Sequence, residues 1–133
     1  MELITQSFQV KLPEGWEYLF EDEIYSIFNY DSVQGVLQVS IYQSDTVFFD
    51  ILEEYRKEKS KHLNATIIEM RNSSAVHYSV VLSNERLVRY DWILGKEHKK
   101  MYCTFLVNQD QEKDKFETDY QKAFDIVSNI EWV

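Results

Sequence analysis

The 133-residue chain has one cysteine, one proline and three glycines. A single cysteine excludes a disulfide framework and any multi-cysteine zinc or iron–sulfur site. The glycines, at positions 15, 35 and 95, are too far apart to form a loop that cradles phosphate, which excludes the familiar nucleotide-binding loops. None of the three histidines has a cysteine, carboxylate or second histidine at metal-ligand spacing. The sequence therefore predicts neither a metal site nor a cofactor.

Long hydrophobic runs are also missing. The longest apolar stretches, such as residues 80–82 and 105–107, are a few residues long, whereas a membrane-spanning helix needs about 20. The first ten residues have no basic start and no apolar core of signal-peptide length. We therefore expect a soluble cytoplasmic protein with no membrane partner. Because no repeat or linker-like segment divides the chain, residues 1–133 are predicted to form a single domain.

Basic residues are scarce at the beginning of the chain. The net charge is −9 and the pI is about 4.8, which argues against nucleic acid or an anionic membrane as partner. Residues 1–54 contain eleven acids and only one base, Lys11, so this part carries nearly all of the net charge. Two interpretations stay open: solvated turns and a solvated helix start, or a recognition surface for a basic partner.

Alternation of apolar and polar residues predicts a largely antiparallel sheet. The alternation is clear in residues 36–42, 86–94 and 99–107, and short turns between the segments require antiparallel neighbours. The full set of predicted strands is 8–12, 16–20, 24–30, 36–42, 66–71, 75–83, 86–94 and 99–107.

Two segments have helical spacing instead. The first helix is predicted at about 46–63, capped by Ser44, Asp45 or Thr46, with acids in its first turns and bases in its last ones. The second is predicted at about 111–130, after a capping-box pattern in residues 108–111. The predicted fold class is α+β: an antiparallel sheet of about six to eight strands with two helices packed on it.

The order of these motifs resembles a known family. An apolar strand runs into residues 12–16 (LPEGW), an acidic hairpin follows, and residues 35–42 (GVLQVSIY) precede the first helix. The closing helix is followed by residues 129–132 (NIEW). Over nearly its full length the chain resembles small bacterial members of the PsbP-like α/β superfamily.

The resemblance implies an antiparallel sheet flanked by helices. It implies little about activity, because the relatives include a photosystem extrinsic subunit, a nuclear-transport factor that binds a GTPase, and many uncharacterised bacterial proteins. None of their functional residues can be matched to a position of this sequence, so no residue role is transferred.

The first functional hypothesis is a non-enzymatic protein-interaction module, of the accessory or immunity type, which presents an acidic surface to a basic partner. It follows from the charge of residues 1–54 and from the lack of a catalytic constellation. The candidate partner-binding residues lie in a predicted hairpin and in the first half of the first helix: Glu21, Asp22, Glu23, Asp50, Glu53 and Glu54.

The second hypothesis is a small-ligand-binding domain that uses the polar face of the central sheet. Arg89 and Asp91 are two residues apart on one strand and share a face, and His77 is expected to approach them from a neighbouring strand. The candidate ligand face comprises Gln38, Tyr42, His77, Arg89, Asp91 and Tyr102.

The histidine and aspartate of that face do not predict an enzyme, because no nucleophile or oxyanion donor accompanies them. Cys103 lies on the apolar side of its strand and is predicted to be a small buried hydrophobe. A third interpretation, self-association through a strand edge, also stays open, as do the oligomeric state and the identity of the edge strands.

Overall fold

The computed structural model describes residues 1–31, 35–109 and 113–133, apart from the side chains of residues 49–51, 62, 63 and 113–115. The elements, in chain order, are β1 (Glu2–Ile4), β2 (Phe8–Lys11), β3 (Trp16–Glu21), β4 (Ile24–Asn29), β5 (Val36–Gln43), α1 (Phe48–Leu63), β6 (Thr66–Glu69), β7 (Ser74–Leu82), β8 (Leu87–Lys96), β9 (Lys99–Asn108), α2 (Lys113–Ser128) and β10 (Glu131–Trp132). The predicted α+β class, with two helices on a largely antiparallel sheet, is confirmed.

The strands of the described chain form two sheets. The larger has seven strands in the order β3-β4-β5-β9-β8-β7-β6, and every neighbouring pair is antiparallel. The smaller has the order β1-β2-β10. Strands β1 and β10 were not among the predicted strands, because three and two residues are too short to show a period. Both form by pairing with β2.

The register of the larger sheet defines its two faces. Gln38, Thr104, Asp91 and Tyr78 pair directly across four strands, so their side chains project to the same face. We call this the α1 face, because Tyr78 packs in one cluster with Phe48 of α1. The opposite side is the α2 face.

Each face of the sheet carries a hydrophobic cluster. On the α2 face, Trp92 and Phe105 pack with Ala123 and Val127 of α2 and with Phe8 of the smaller sheet. A smaller cluster on the α1 face is formed by Phe48, Ala65, Val76, Tyr78 and Ile93. Burial on both sides explains why four consecutive residues of β8, from Asp91 to Leu94, are all buried.

Helix α1 begins two residues later than expected, and its predicted cap is wrong. The N-cap residue is Val47, and no described side chain caps the helix. The Ser44 hydroxyl instead accepts a hydrogen bond from the backbone N–H of Thr46, at 3.3 Å. The backbone N–H of Phe48 donates to the Glu97 carbonyl, at 2.9 Å, so the β8–β9 turn replaces a side-chain cap.

Helix α2 is described from Lys113, and the capping-box pattern predicted in residues 108–111 lies partly outside the described residues. Within the described chain, neither helix is long and apolar enough to cross a membrane.

Candidate functional site

The β3–β4 hairpin ends in an acidic two-residue turn. Glu21 and Ile24 are the last paired residues, and Asp22 and Glu23 between them have φ angles of 53° and 64°. Positive φ at both central positions defines a type I′ turn, which ordinarily favours Asn-Gly because of the left-handed backbone. The structure thus brings Glu21, Asp22 and Glu23 together, all exposed, at the tip of one hairpin.

Strand β3 leaves large apolar side chains in solvent. After the buried Trp16 every residue of the strand is exposed, and the exposed fractions are 62% for Leu19, 56% for Phe20 and 38% for Tyr18. These residues were not among the predicted site residues. The available signal was three consecutive large apolar residues with acids on both sides, which fits neither one buried face nor a polar loop.

The exposed rings are held by Tyr25 of β4. Its ring centroid lies 4.4 Å from that of Phe20 and 6.3 Å from that of Tyr18. It also makes an edge-to-face contact with the buried Phe8, at 5.5 Å. Burial, followed by the neighbouring Tyr18 hydroxyl, raises the pKa of Tyr25. Tyr25 therefore links the exposed aromatic rings to the core.

We call the set of residues just described, together with Glu17, the hairpin surface. It consists of Glu17, Tyr18, Leu19, Phe20, Glu21, Asp22, Glu23 and Tyr25. It combines apolar contact area with negative charge, the combination that a partner with basic and apolar residues would complement.

The predicted helix acids lie elsewhere. Glu53 and Glu54 are exposed on α1, and the Asp50 side chain is outside the described residues. The Glu53 carboxylate accepts hydrogen bonds from Arg56, at 2.8 and 2.5 Å, which lower the pKa of Glu53. Helix α1 packs on β6, β7 and β8, whereas the hairpin lies at the opposite edge of the sheet. The structure therefore does not join the hairpin acids and the helix acids into one patch.

On the α1 face the structure does bring Arg89 and Asp91 together. Arg89 Nε donates to Asp91 Oδ2, at 2.8 Å. Asp91 is only 5% exposed, and its other oxygen, Oδ1, has no hydrogen-bond partner within the described residues. Burial, followed by the negative charge of Asp91 and a hydrogen bond between the two side chains, raises the pKa of the paired Tyr78.

His77 is not part of this constellation, and the prediction that it joins the Arg89 and Asp91 side chains is wrong. Because Tyr78 pairs with Asp91, the preceding residue His77 projects to the α2 face. There its ring stacks on Trp92 at 4.8 Å, and burial lowers its pKa. Its contact with Asp91 is to the main-chain oxygen, at 2.8 Å from Nδ1.

The remaining predicted ligand residues spread along the α1 face. Gln38 lies in the same row as Asp91 but is separated from it by Thr104 of β9. Tyr42, 53% exposed, packs edge-to-face on Tyr102 with ring centroids 5.4 Å apart. Helix α1 covers part of this end of the face, where Tyr102 packs against the smaller core cluster.

Two open grooves are lined by other residues. One, of about 630 Å³, is lined by β2, the turn after it, Arg71 and the end of α2. The other, of about 440 Å³, lies between the start of α1, the β6–β7 turn, the end of β8 and β10. Neither is lined by a predicted ligand residue. In residues 1–31, 35–109 and 113–133, no three His, Cys, Asp or Glu side chains are grouped to hold a metal ion.

No protein-family model and no curated protein matches the chain. A protein from Bacteroides thetaiotaomicron VPI-5482, solved by crystallography at 1.50 Å resolution, has a similar structure, with a TM-score of 0.73 and 14% sequence identity. The match covers 99% of this chain but 48% of that protein, so the chain spans about half of its length.

Cyanobacterial PsbP (CyanoP) from Synechocystis sp. PCC 6803, solved in solution, matches with a TM-score of 0.60 and 11% identity. That match covers 100% of this chain and 92% of CyanoP. The fold is therefore PsbP-like, as the resemblance in sequence implies, and at such low identities the likeness shows the fold alone.

Proposed function

We propose that the chain is a non-enzymatic protein-interaction module, of the accessory or immunity type, and that it binds a basic partner through the hairpin surface. The observation that carries the proposal is the exposure of Leu19 and Phe20, each more than half accessible, beside the acids of the hairpin tip. The two side chains project from opposite faces of β3, so each face of the hairpin exposes a large apolar side chain beside the acids. Exposed apolar area rimmed by polar residues marks interaction sites. Aromatic side chains in particular supply much of the binding energy of interfaces.

The two kinds of residue have different effects on binding. The exposed acids at the tip attract a basic partner and raise the association rate, an effect that salt screens. The aromatic side chains, held in place by Tyr25, add apolar contact area and slow dissociation. We therefore expect association to depend on salt and complex lifetime to depend on the rings.

The test begins with capture of a partner from a lysate of the source cells at low and moderate salt. The purified partner is then used in surface plasmon resonance with the variant Glu21→Lys/Asp22→Lys/Glu23→Lys. We expect association at low salt to slow by about tenfold or more and to lose most of its salt dependence.

The matched control reverses three exposed acids on α2 and β10, as Glu117→Lys/Asp125→Lys/Glu131→Lys, with the same change in net charge. Equal effects of both triple variants would mean that net charge alone matters, and unchanged kinetics in the hairpin variant would refute the proposal.

A second variant separates charge from folding. Asp22→Asn/Glu23→Gly places the residues favoured by a type I′ turn at its two central positions and removes two charges. We expect this variant to unfold at an equal or higher urea concentration than the wild type and yet to bind the partner more slowly. Binding at the wild-type rate would show that these two acids have no part in recognition.

A second candidate function is small-ligand binding on the α1 face, favoured by the buried Asp91 Oδ1 that lacks a partner among the described residues. Such a site would accept an amine or hydroxyl group. Its test is NMR titration with small amines and alcohols. Chemical-shift changes around Arg89, Asp91 and Tyr102 that disappear in Asp91→Asn would support it, and an unchanged α1 face would refute it.

A further inference from the structure

On the basis of the proposed function, we propose how the partner binds: an extended segment adds to the open edge of β3 as a further antiparallel strand. The segment carries two basic side chains on one face, separated by an apolar one, and apolar side chains on the other face.

The edge of β3 is open in the described chain. β3 is the first strand of the seven-stranded order and is paired there with β4 alone. Unpaired main-chain groups along such an edge are a template for strand addition.

The phase of the ladder shows which main-chain groups point outward. In a two-residue turn the flanking residues, Glu21 and Ile24, are joined by the hydrogen bond that closes the turn. Along an antiparallel pair, residues bonded to the partner alternate with residues whose groups point away. The hydrogen bond that Tyr30 N donates to Gly15 O, at 2.8 Å, fits this alternation. Gly15 lies an even number of residues before Glu21, so both residues direct their main-chain groups towards the same neighbouring segment.

The residues between them therefore divide into two sets. Glu17, Leu19 and Glu21 direct their main-chain groups towards β4, and Tyr18 and Phe20 direct theirs towards the open edge. The open edge thus offers the N–H and C=O groups of two residues, spaced as an added strand requires.

The side chains of β3 specify what the added strand carries. On the α1 face, Glu17, Leu19 and Glu21 alternate acid, apolar and acid, while Tyr18 and Phe20 project to the α2 face. Directly opposed side chains of neighbouring strands interact, and opposite charges across a strand pair are favourable. The complementary strand reads basic, apolar, apolar, apolar, basic, with its two apolar flanks facing the rings of Tyr18 and Phe20.

The same pattern disfavours a second copy of the chain as the occupant. The antiparallel self-pairing that uses the outward groups of both Tyr18 and Phe20 is centred on Leu19. It places Glu17 of each copy opposite Glu21 of the other, and like charges directly opposed are destabilising. Charge complementarity therefore favours a basic strand.

The probe is a fluorescently labelled peptide, Gly-Ser-Lys-Val-Leu-Val-Lys-Ser-Gly, whose core reads the same in both directions. The control peptide replaces both lysines with glutamate. We expect the basic peptide to bind at least tenfold more tightly at low salt, as measured by fluorescence anisotropy. Hydrogen exchange followed by NMR identifies the edge: the Tyr18 and Phe20 amides exchange fast in the free protein and slowly in the complex, and the Leu19 amide is protected in both.

Two variants isolate the main-chain hydrogen bond. Tyr18→Pro and Tyr18→Ala both remove the ring, but only proline removes the outward N–H, and it leaves the ladder to β4 intact. We expect the proline variant to bind the peptide about three- to tenfold more weakly than the alanine variant. Urea denaturation of both variants checks that the hairpin still folds.

The outcomes separate this inference from the proposed function. A natural partner that needs the hairpin acids but binds Tyr18→Pro and Tyr18→Ala equally would overturn strand addition and leave the proposed function standing. Peptide binding without protection of the Tyr18 and Phe20 amides from hydrogen exchange would also overturn it. So would self-association of the wild type that is lost in Tyr18→Pro, because a second copy of the chain would then occupy the edge. If no hairpin variant affects any binding, both proposals fail.

Discussion

Removal of Arg89 is expected to leave a buried negative charge without its described ion-pair partner. The Asp91 side chain is 7% exposed and that of Arg89 is 34% exposed, and they are joined by the 2.8 Å bond between Nε and Oδ2. Arg89→Met keeps the apolar stem of the side chain and removes the guanidinium group. The Asp91 carboxylate would then lose its donor at Oδ2, while its negative charge stays buried beside Tyr78.

The size of the effect follows from the unequal burial of the two groups. Removal of one partner of a fully buried ion pair costs about 3–5 kcal/mol. Because Arg89 is one-third exposed, water can reach the gap left by the guanidinium group. We therefore expect the free energy of unfolding to fall by about 2 kcal/mol, within the range for hydrogen bonds to charged groups. Asp91→Asn should cost less, about 1 kcal/mol, because Arg89 can turn towards solvent.

The assay is urea denaturation at pH 7, followed by tryptophan fluorescence, on the wild type, both single variants and the double variant. The double variant should cost less than the sum of the singles, with a coupling of about 1 kcal/mol. A loss below about 0.5 kcal/mol for Arg89→Met, the range of ordinary surface changes, would refute the argument. A larger loss for Asp91→Asn than for Arg89→Met would show that burial of the carboxylate does not dominate.

Three further predictions concern positions in strands β7, β8 and β9. A Cβ at Gly95 would overlap the ring of Phe48, so Gly95→Ala should displace the first turn of α1 and lower the free energy of unfolding by about 1–3 kcal/mol in urea titrations. Burial lowers the pKa of His77, so the unfolded chain binds a proton first and stability falls as the pH drops below about 6.5, by at most about 1.4 kcal/mol per pH unit. His77→Gln, in urea titrations between pH 7 and 5, should show a smaller fall than the wild type. Burial raises the pKa of the Cys103 thiol, so Ellman's reagent should react with it only as fast as the protein unfolds.

The sequence predicted the central strands correctly but not which residues share a face. His77 was expected to share a face with Arg89 and Asp91, which would put its neighbours Val76 and Tyr78 on the same face as Trp92 and Leu94. The register places them on opposite faces, because a helix covers each side of the sheet. When both faces of a sheet are buried, apolar residues occur on both faces. The alternation within one strand then does not show whether its apolar residues face the same side as those of the neighbouring strand. The consecutive run Trp92, Ile93 and Leu94 was the local sign of burial on both sides.

The start of α1 depended on tertiary contacts that a local pattern does not contain. Ser44 and Thr46 are good capping residues, but their hydroxyls interact with each other across 3.1 Å. The acceptor for Phe48 N comes from Glu97, far along the chain. Such a contact exists only once β8 and β9 have paired, so the sequence around residue 46 predicts a helix start but not its position.

The sequence predicted the acidic residues of the candidate site but not the exposure of its apolar side chains. Leu19 and Ile93 are both aliphatic residues in strands, yet the exposed fraction is 62% for Leu19 and 0% for Ile93. The difference comes from strand order: β8 lies between two strands and under two helices, and β3 lies at the edge. Glu17 and Glu21 were the local clue, because charges along a strand protect an open edge from self-pairing. The charges that disfavour a second copy are the ones that favour a basic segment, so the acidity of residues 1–54 and the open edge of β3 support a single mode of binding.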